Sequence, residues 1–144
     1  MTRSSNLARS IALALLAGCG DERENGNVAL GAKVYAQHCA ACHGARLEGQ
    51  PEWRRRLPNG RMPAPPHDES GHTWHHSDDV LFGITKRGLA PPYAPPNYES
   101  DMPAFTGKLS DDEIWAVLAF IKSHWTSREV LDARAEMTRN MRKK

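Results

Sequence analysis

The stretch Cys39-Ala40-Ala41-Cys42-His43 carries most of the information about the fold. Two cysteines three positions apart lie on one face of a helical turn, so both thiols can reach the same partner. Each thiol can add to a vinyl group of one haem, and the adjacent His43 offers an imidazole to the iron. The pentapeptide therefore predicts one covalently attached haem c. A packed or zinc-binding pair of cysteines is the alternative that so short a motif leaves open.

A second motif, Asp101-Met102-Pro103-Ala104-Phe105, lies further along the chain. A thioether sulfur is a soft iron ligand, and a His/Met pair raises the potential of a haem. Pro103 restricts Met102 to extended backbone, which suits a side chain directed inward from a loop. The motif predicts Met102 as the second axial ligand. Met62, which also precedes a proline, is the rival ligand, and an ordinary core methionine is the remaining alternative.

Taken together, these segments resemble class I cytochromes c from about Gly31 to about Ser123. The parts occur in the family's order: a helix with Gly31 and Tyr35, Cys-Ala-Ala-Cys-His-Gly at 39–44, Pro63-Ala64-Pro65-Pro66, the Met102 motif and a terminal helix over 109–122. The resemblance implies an all-α fold in which the N- and C-terminal helices cross and loops wrap around one haem. It also implies electron transfer as the activity.

The resemblance further implies a proline whose backbone carbonyl accepts a hydrogen bond from Nδ1 of His43, which fixes the ligand's orientation. Pro65 matches this position best, and Pro66 is its neighbour. The alternative is that these prolines only stiffen a turn. Trp74 has an indole N–H that we expect to bond either a haem propionate or some other buried partner.

Four histidines within ten positions form an unusual cluster: His67, His72, His75 and His76. Such a cluster is able to bind copper or zinc. Cysteine or aspartate-rich partners at metal-binding spacing are missing, however. We therefore expect one or two of these histidines to contact propionates and the others to be solvated.

Residues 1–18 have the features of a lipoprotein signal peptide. Two arginines precede an apolar run at 11–16, which is too short for a bilayer span of ~20 residues. Leu16-Ala17-Gly18-Cys19 then resembles a bacterial lipobox, which predicts lipidation of Cys19. An ordinary secretory signal with an incidental Cys19 is the alternative. With Cys39 and Cys42 assigned to haem, no cysteine remains for a disulfide.

The rest of the chain divides into a tether (19–27), a cytochrome c domain (28–125) and a basic C-terminal tail or helix extension (126–144). The 19 Lys and Arg exceed the 17 Asp and Glu by the two arginines of the signal, so the mature chain is formally neutral before haem is added. A nucleic-acid partner, which requires a strongly basic face, is not indicated.

Helical periodicity predicts a first helix over 28–42. Gly31 inside it would cost ~1 kcal/mol relative to alanine, which suggests close approach by the terminal helix at Val117 or Phe120. Ser110 and Glu113 form a capping-box pattern at the start of that terminal helix. A short helix over 80–86 should follow Ser77 and end at Gly88.

These features predict an electron carrier, lipid-anchored to a bacterial membrane at its periplasmic face, with redox proteins as donors and acceptors. No acid/base pocket for a small-molecule substrate is evident, and both axial positions are filled, so we do not expect an enzyme. The alternatives are a haem-containing copper-binding or sensing module, a small subunit of an oxidase or dehydrogenase complex, and a soluble periplasmic carrier.

Overall fold

The computed structural model describes residues 21–143, with side-chain surroundings from residue 27 onward. The predicted signal peptide 1–18 and Cys19 lie outside the described residues. Within 21–143 there is no β-strand, so the predicted all-α class is confirmed. The helices are α1 (Asp21–His38), α2 (Ala40–His43), a 3₁₀ helix (Thr73–His75), α3 (Asp78–Arg87), α4 (Asp111–Lys122) and α5 (Arg128–Met141). None of them is long and apolar enough to cross a membrane.

Helix α1 differs from the predicted first helix at both ends. It begins at Asp21, so most of the predicted tether is helical, and it ends at His38. The segment from Asp21 lacks an apolar stripe, which is why periodicity did not reveal it, although acidic residues favour a helix N-terminus. After a turn at Cys39, the haem motif forms the separate short helix α2.

The most extensive contact between elements joins α1 to α4. A Cβ atom at Gly31 would lie 2.0 Å from the carbonyl oxygen of Ala116 and 2.8 Å from Cβ of Phe120. The predicted close approach at Gly31 is therefore present. Its partners are Phe120 and the backbone of Ala116, rather than Val117. The buried stripe of α4 consists of Ile114, Val117, Leu118 and Ile121.

Local capping signals place the starts of the later helices. The Ser110 hydroxyl accepts the Glu113 N–H at 3.2 Å, and the Glu113 carboxylate accepts the Ser110 N–H at 2.8 Å, which confirms the capping box. Ser77 caps α3, and Gly88, with φ of 77°, ends it as predicted. The box and the cap fix the helices on either side of the loop that carries Met102.

Helix α5 is a separate element and not an extension of α4, which was one of the alternatives for residues 126–144. The chain turns after Lys122, and Trp125 is buried in the turn. The Glu69 carboxylate accepts the backbone N–H groups of Thr126 and Ser127 just before α5 begins. These two bonds come from a residue far away in sequence, but a local signal is also present, because the Ser127 hydroxyl accepts the Val130 N–H and caps α5.

An ion-pair cluster around Asp78 ties α5 to α3 and α4. Arg134 donates to the Asp78 carboxylate, and Lys122 Nζ lies 2.6 Å from Asp78 Oδ2. Arg134 also donates to the carbonyls of Trp74 and His76. Burial alone would raise the pKa of Asp78, but the bonds and charges of Lys122 and Arg134 outweigh it and hold that pKa below its ordinary value.

Asp78→Asn is expected to lower the free energy of unfolding by about 1–2 kcal/mol at neutral pH, because two cations lose their anion at a partly exposed site. The folded-state pKa of Asp78 is lowered. Its contribution is therefore complete above the ordinary value of 3.8 and is lost as the pH falls through the folded-state pKa. Urea unfolding of the holoprotein across this pH range measures the effect.

Asp79→Asn is the matched control, since it removes the same charge from the exposed neighbouring position of α3. The difference in free energy of unfolding between wild type and Asp78→Asn should disappear at acidic pH. At neutral pH, Asp79→Asn should have nearly the wild-type free energy of unfolding. Equal losses in the two variants, or a gap that does not depend on pH, would contradict the ion-pair account.

Candidate functional site

His43 lies at the end of α2 with only 7% of its surface exposed. Its Nδ1 is 2.8 Å from the carbonyl oxygen of Pro65, which is the bond expected from the sequence. A carbonyl can only accept, so Nδ1 carries the proton and Nε2 keeps a free lone pair. Burial lowers the pKa of His43, although the bond to Pro65 opposes it. The neutral imidazole is the form that binds a metal.

Cys39 is the N-cap residue of α2, and Cys42 lies within this helix. Cys39 is half-buried, Cys42 is exposed, and both are free thiols. Burial, and then the neighbouring Cys42, raise the pKa of the Cys39 thiol to about 11, so it stays protonated at neutral pH. Among the residues that the structure describes, no group of three or more His, Cys, Asp or Glu side chains is arranged to hold a metal ion.

Tyr35, from α1, holds the backbone that follows His43. Its hydroxyl donates to the carbonyl of Gly44 at 3.0 Å and is 3.3 Å from that of His43. Burial raises the pKa of Tyr35, which keeps the hydroxyl a donor. Sequence reasoning had treated Tyr35 only as a landmark of the first helix. Its position one turn before Cys39 was the available signal.

The loop that carries Pro65 is held close to the segment after α2. A Cβ atom at Gly49, whose φ is +69°, would lie 2.5 Å from the backbone nitrogen of Pro66. The backbone N–H of His67 donates to the carbonyl of Leu47 at 2.8 Å. Only glycine permits both this backbone conformation and this approach. These contacts place the Pro65 carbonyl beside His43.

His67 is separated from the other three histidines of the sequence cluster. Its ring stacks on that of His43, with centroids 3.8 Å apart and planes 17° apart. The rings of Tyr35 and His67 meet edge-to-face, with centroids 5.9 Å apart. Its Nδ1 is buried with no hydrogen-bond partner. Burial, followed by the nearby His43 and His72, holds the pKa of His67 well below its ordinary value.

The remaining histidines pair with aromatic neighbours. His72 stacks on Trp53 at 5.5 Å and meets His76 edge-on at 5.4 Å, while His75 stacks on Trp74 at 3.6 Å. The indole N–H of Trp74 donates to the carbonyl of Glu69 at 3.2 Å. In this structure the partner of Trp74 is thus a backbone carbonyl, and a propionate contact for it stays a prediction.

Met102 is half-buried in the loop between α3 and α4, where its backbone N–H donates to the Ser100 hydroxyl at 3.1 Å. An ion pair between Arg61 and Asp101 links this loop to the one that carries Met62. Met62 is also half-buried. The two candidate thioethers therefore lie on linked loops, and the choice of Met102 stays a prediction.

This donor set fits a covalently bound haem, because one thiol lies at the N-cap of α2 and the other within it, and an oriented neutral imidazole presents Nε2. The helices and this site define a small all-α redox protein. A sequence model of the family described as "Cytochrome c" matches residues 28–125, more than half of the chain. The chain therefore belongs to the cytochrome c family, as a class I monohaem cytochrome with a c-type haem and a role in electron transfer. Neither the curated proteins nor the solved structures gave a match.

Proposed function

We propose that this cytochrome is a lipid-anchored electron carrier at the periplasmic face of a bacterial membrane, with His43 and Met102 as axial ligands. The observation that supports haem ligation by His43 is its 2.8 Å bond from Nδ1 to Pro65, which leaves Nε2 free to bind iron, whereas the anchor rests on the Leu16-Ala17-Gly18-Cys19 motif. The haem, when bound, supplies a single iron that gains or loses one electron. Redox proteins are its donors and acceptors.

The residues of the site attach the haem and orient its ligands. Cys39 and Cys42 provide the two thioether bonds, and Met102 provides a soft sulfur that raises the potential. Tyr35 holds the backbone at His43, and Pro65 holds its imidazole ring. Cys42 is exposed, so one attachment point lies at the protein surface, where a partner protein can approach. Once the two thioether bonds are made, electron transfer requires no side chain to form or break a bond.

Metal analysis and a redox titration of the purified holoprotein test this function together. We expect one iron per chain, no second metal, and a reversible one-electron transition. The oxidised form should show the weak near-infrared band that methionine ligation gives in this family. A stoichiometric copper ion would instead support a metal-binding module, and an oxidised form without the band would overturn His/Met ligation.

Cys19→Ser is expected to release the protein from membranes, because a hydroxyl cannot replace the thiol as the acylation site. Wild type should sediment with membranes and require detergent. The variant should appear soluble or run as unprocessed precursor, with haem attachment intact. Haem staining of each fraction follows both forms. Wild type found in the periplasmic fraction without detergent would contradict lipidation and favour an ordinary secretory signal.

A further inference from the structure

We propose that His67 is a positioning residue that fixes the plane of the His43 imidazole by stacking on its face. The inference rests on the proposed role of His43 as an axial ligand. The two rings are 3.8 Å apart at their centroids and 17° from parallel, so nearly the whole face of one ring covers the other. No part of the electron-carrier proposal accounts for this contact.

The stack supplies a restraint that the bond to Pro65 does not. An imidazole N–H lies in the plane of its ring, so the hydrogen bond from Nδ1 to the Pro65 carbonyl sets the direction in which the ring points. It leaves the ring able to tilt about that bond. A flat neighbour packed against the ring face opposes the tilt, because any rotation drives ring atoms into contact. The two contacts together define the plane.

His67 is itself held firmly enough to serve as a reference. Its backbone N–H donates to the carbonyl of Leu47 at 2.8 Å, and its backbone carbonyl accepts the indole N–H of Trp125 at 2.9 Å. Pro65 and Pro66 fix their own φ angles and so stiffen the chain that leads into His67. Tyr35 meets its ring edge-on, at an interplanar angle of 66°. The position of the His67 ring is thus set by α1, the proline loop and the turn before α5.

The buried nitrogen of His67 indicates that its flat ring is the feature in use. Nδ1 has no hydrogen-bond partner, and a buried polar atom without one opposes folding. A leucine at this position would avoid that cost and fill much of the same space. Leucine, however, has no planar face to lay against an imidazole. We infer that the flat face of His67 against His43 offsets the cost of its unpaired Nδ1.

The plane of an axial imidazole relative to the haem determines how the unpaired electron of oxidised low-spin iron is shared among the pyrroles. The haem methyl resonances in the proton NMR spectrum of the oxidised protein report that distribution directly. We expect His67→Leu and His67→Met, which remove the flat face, to change the order of these methyl resonances. His67→Phe, which retains a flat ring, should keep the wild-type order.

His75→Leu is the matched control, because it removes a histidine that stacks on Trp74, at 3.6 Å, and not on His43. It should leave the methyl order unchanged. Thermal unfolding of each variant separates positioning from packing, since a purely structural role would lower the melting temperature without changing the methyl order. If neither His67→Leu nor His67→Met attaches haem but His67→Phe does, the need for a flat face is likewise supported.

Three results would overturn the proposal: a wild-type methyl order in His67→Leu or His67→Met, an equal change in His75→Leu, or loss of haem attachment in all three His67 variants. Failure of the proposed His/Met ligation is distinguishable from these. It would appear in the wild type itself, as an absent near-infrared band, whereas the role of His67 is judged only by comparing variants with wild type.

Discussion

Met102→Ala is expected to abolish the near-infrared band of the oxidised holoprotein and to lower its reduction potential. Alanine has no donor atom, so the iron would lose its thioether ligand and take water or another weaker partner. Axial ligands set haem potentials over a span of roughly 0.8 V, and methionine lies toward the high end. Absorption spectroscopy and a redox titration of the purified variant measure both changes. Haem attachment through Cys39 and Cys42 should persist.

Met62→Ala is the matched control for this experiment. Met62 is half-buried like Met102, precedes a proline as Met102 does, and lies on the loop that Arg61 ties to Asp101. It should keep the band and the potential close to wild type. The reverse result, with the band surviving in Met102→Ala and absent in Met62→Ala, would assign the ligand to Met62. Loss of the band in both variants would show that the band reports the integrity of the linked loops, and not one sulfur.

Gly31→Leu is expected to destabilise the holoprotein by about 1–3 kcal/mol or more, because it overpacks the contact between α1 and α4. Even a Cβ atom would come within 2.0 Å of the Ala116 carbonyl oxygen. That oxygen belongs to the backbone of a helix and cannot move aside as the end of a flexible side chain would. Each kcal/mol corresponds to roughly 4–8 °C in melting temperature for a domain of this size, so thermal unfolding will detect the change.

Ala36→Leu provides the comparison for Gly31→Leu. It adds a similar bulk to the same helix at an exposed position, and leucine is nearly as good a helix former as alanine. It should leave the melting temperature close to wild type. If Gly31→Leu also melts like wild type, the close approach of α1 and α4 does not occur in solution. If both variants lose the same stability, the loss reflects α1 itself and not its contact with α4.

The amino-acid sequence alone was sufficient for the features encoded within one or two turns of chain. The Ser110–Glu113 box and the Ser77 cap with Gly88 placed the starts of α4 and α3 and the end of α3, because the groups that satisfy a helix terminus are its near neighbours. The spacing of Cys39 and Cys42 indicated the haem motif for the same reason. Family resemblance then supplied the Pro65 bond, and the cost of an interior glycine pointed to the contact at Gly31.

Tertiary structure alone decided what each histidine does. His67, His72, His75 and His76 look alike as a cluster, yet only His67 reaches His43, because the loop folds back against Leu47 and Gly49. Where α5 separates from α4, the carboxylate of Glu69 meets the backbone at 126 and 127 and adds a long-range contact to the local Ser127 cap. Stacking and capping of this kind depend on atoms brought together by the packing of distant segments, and hydrophobic periodicity carries no record of such contacts.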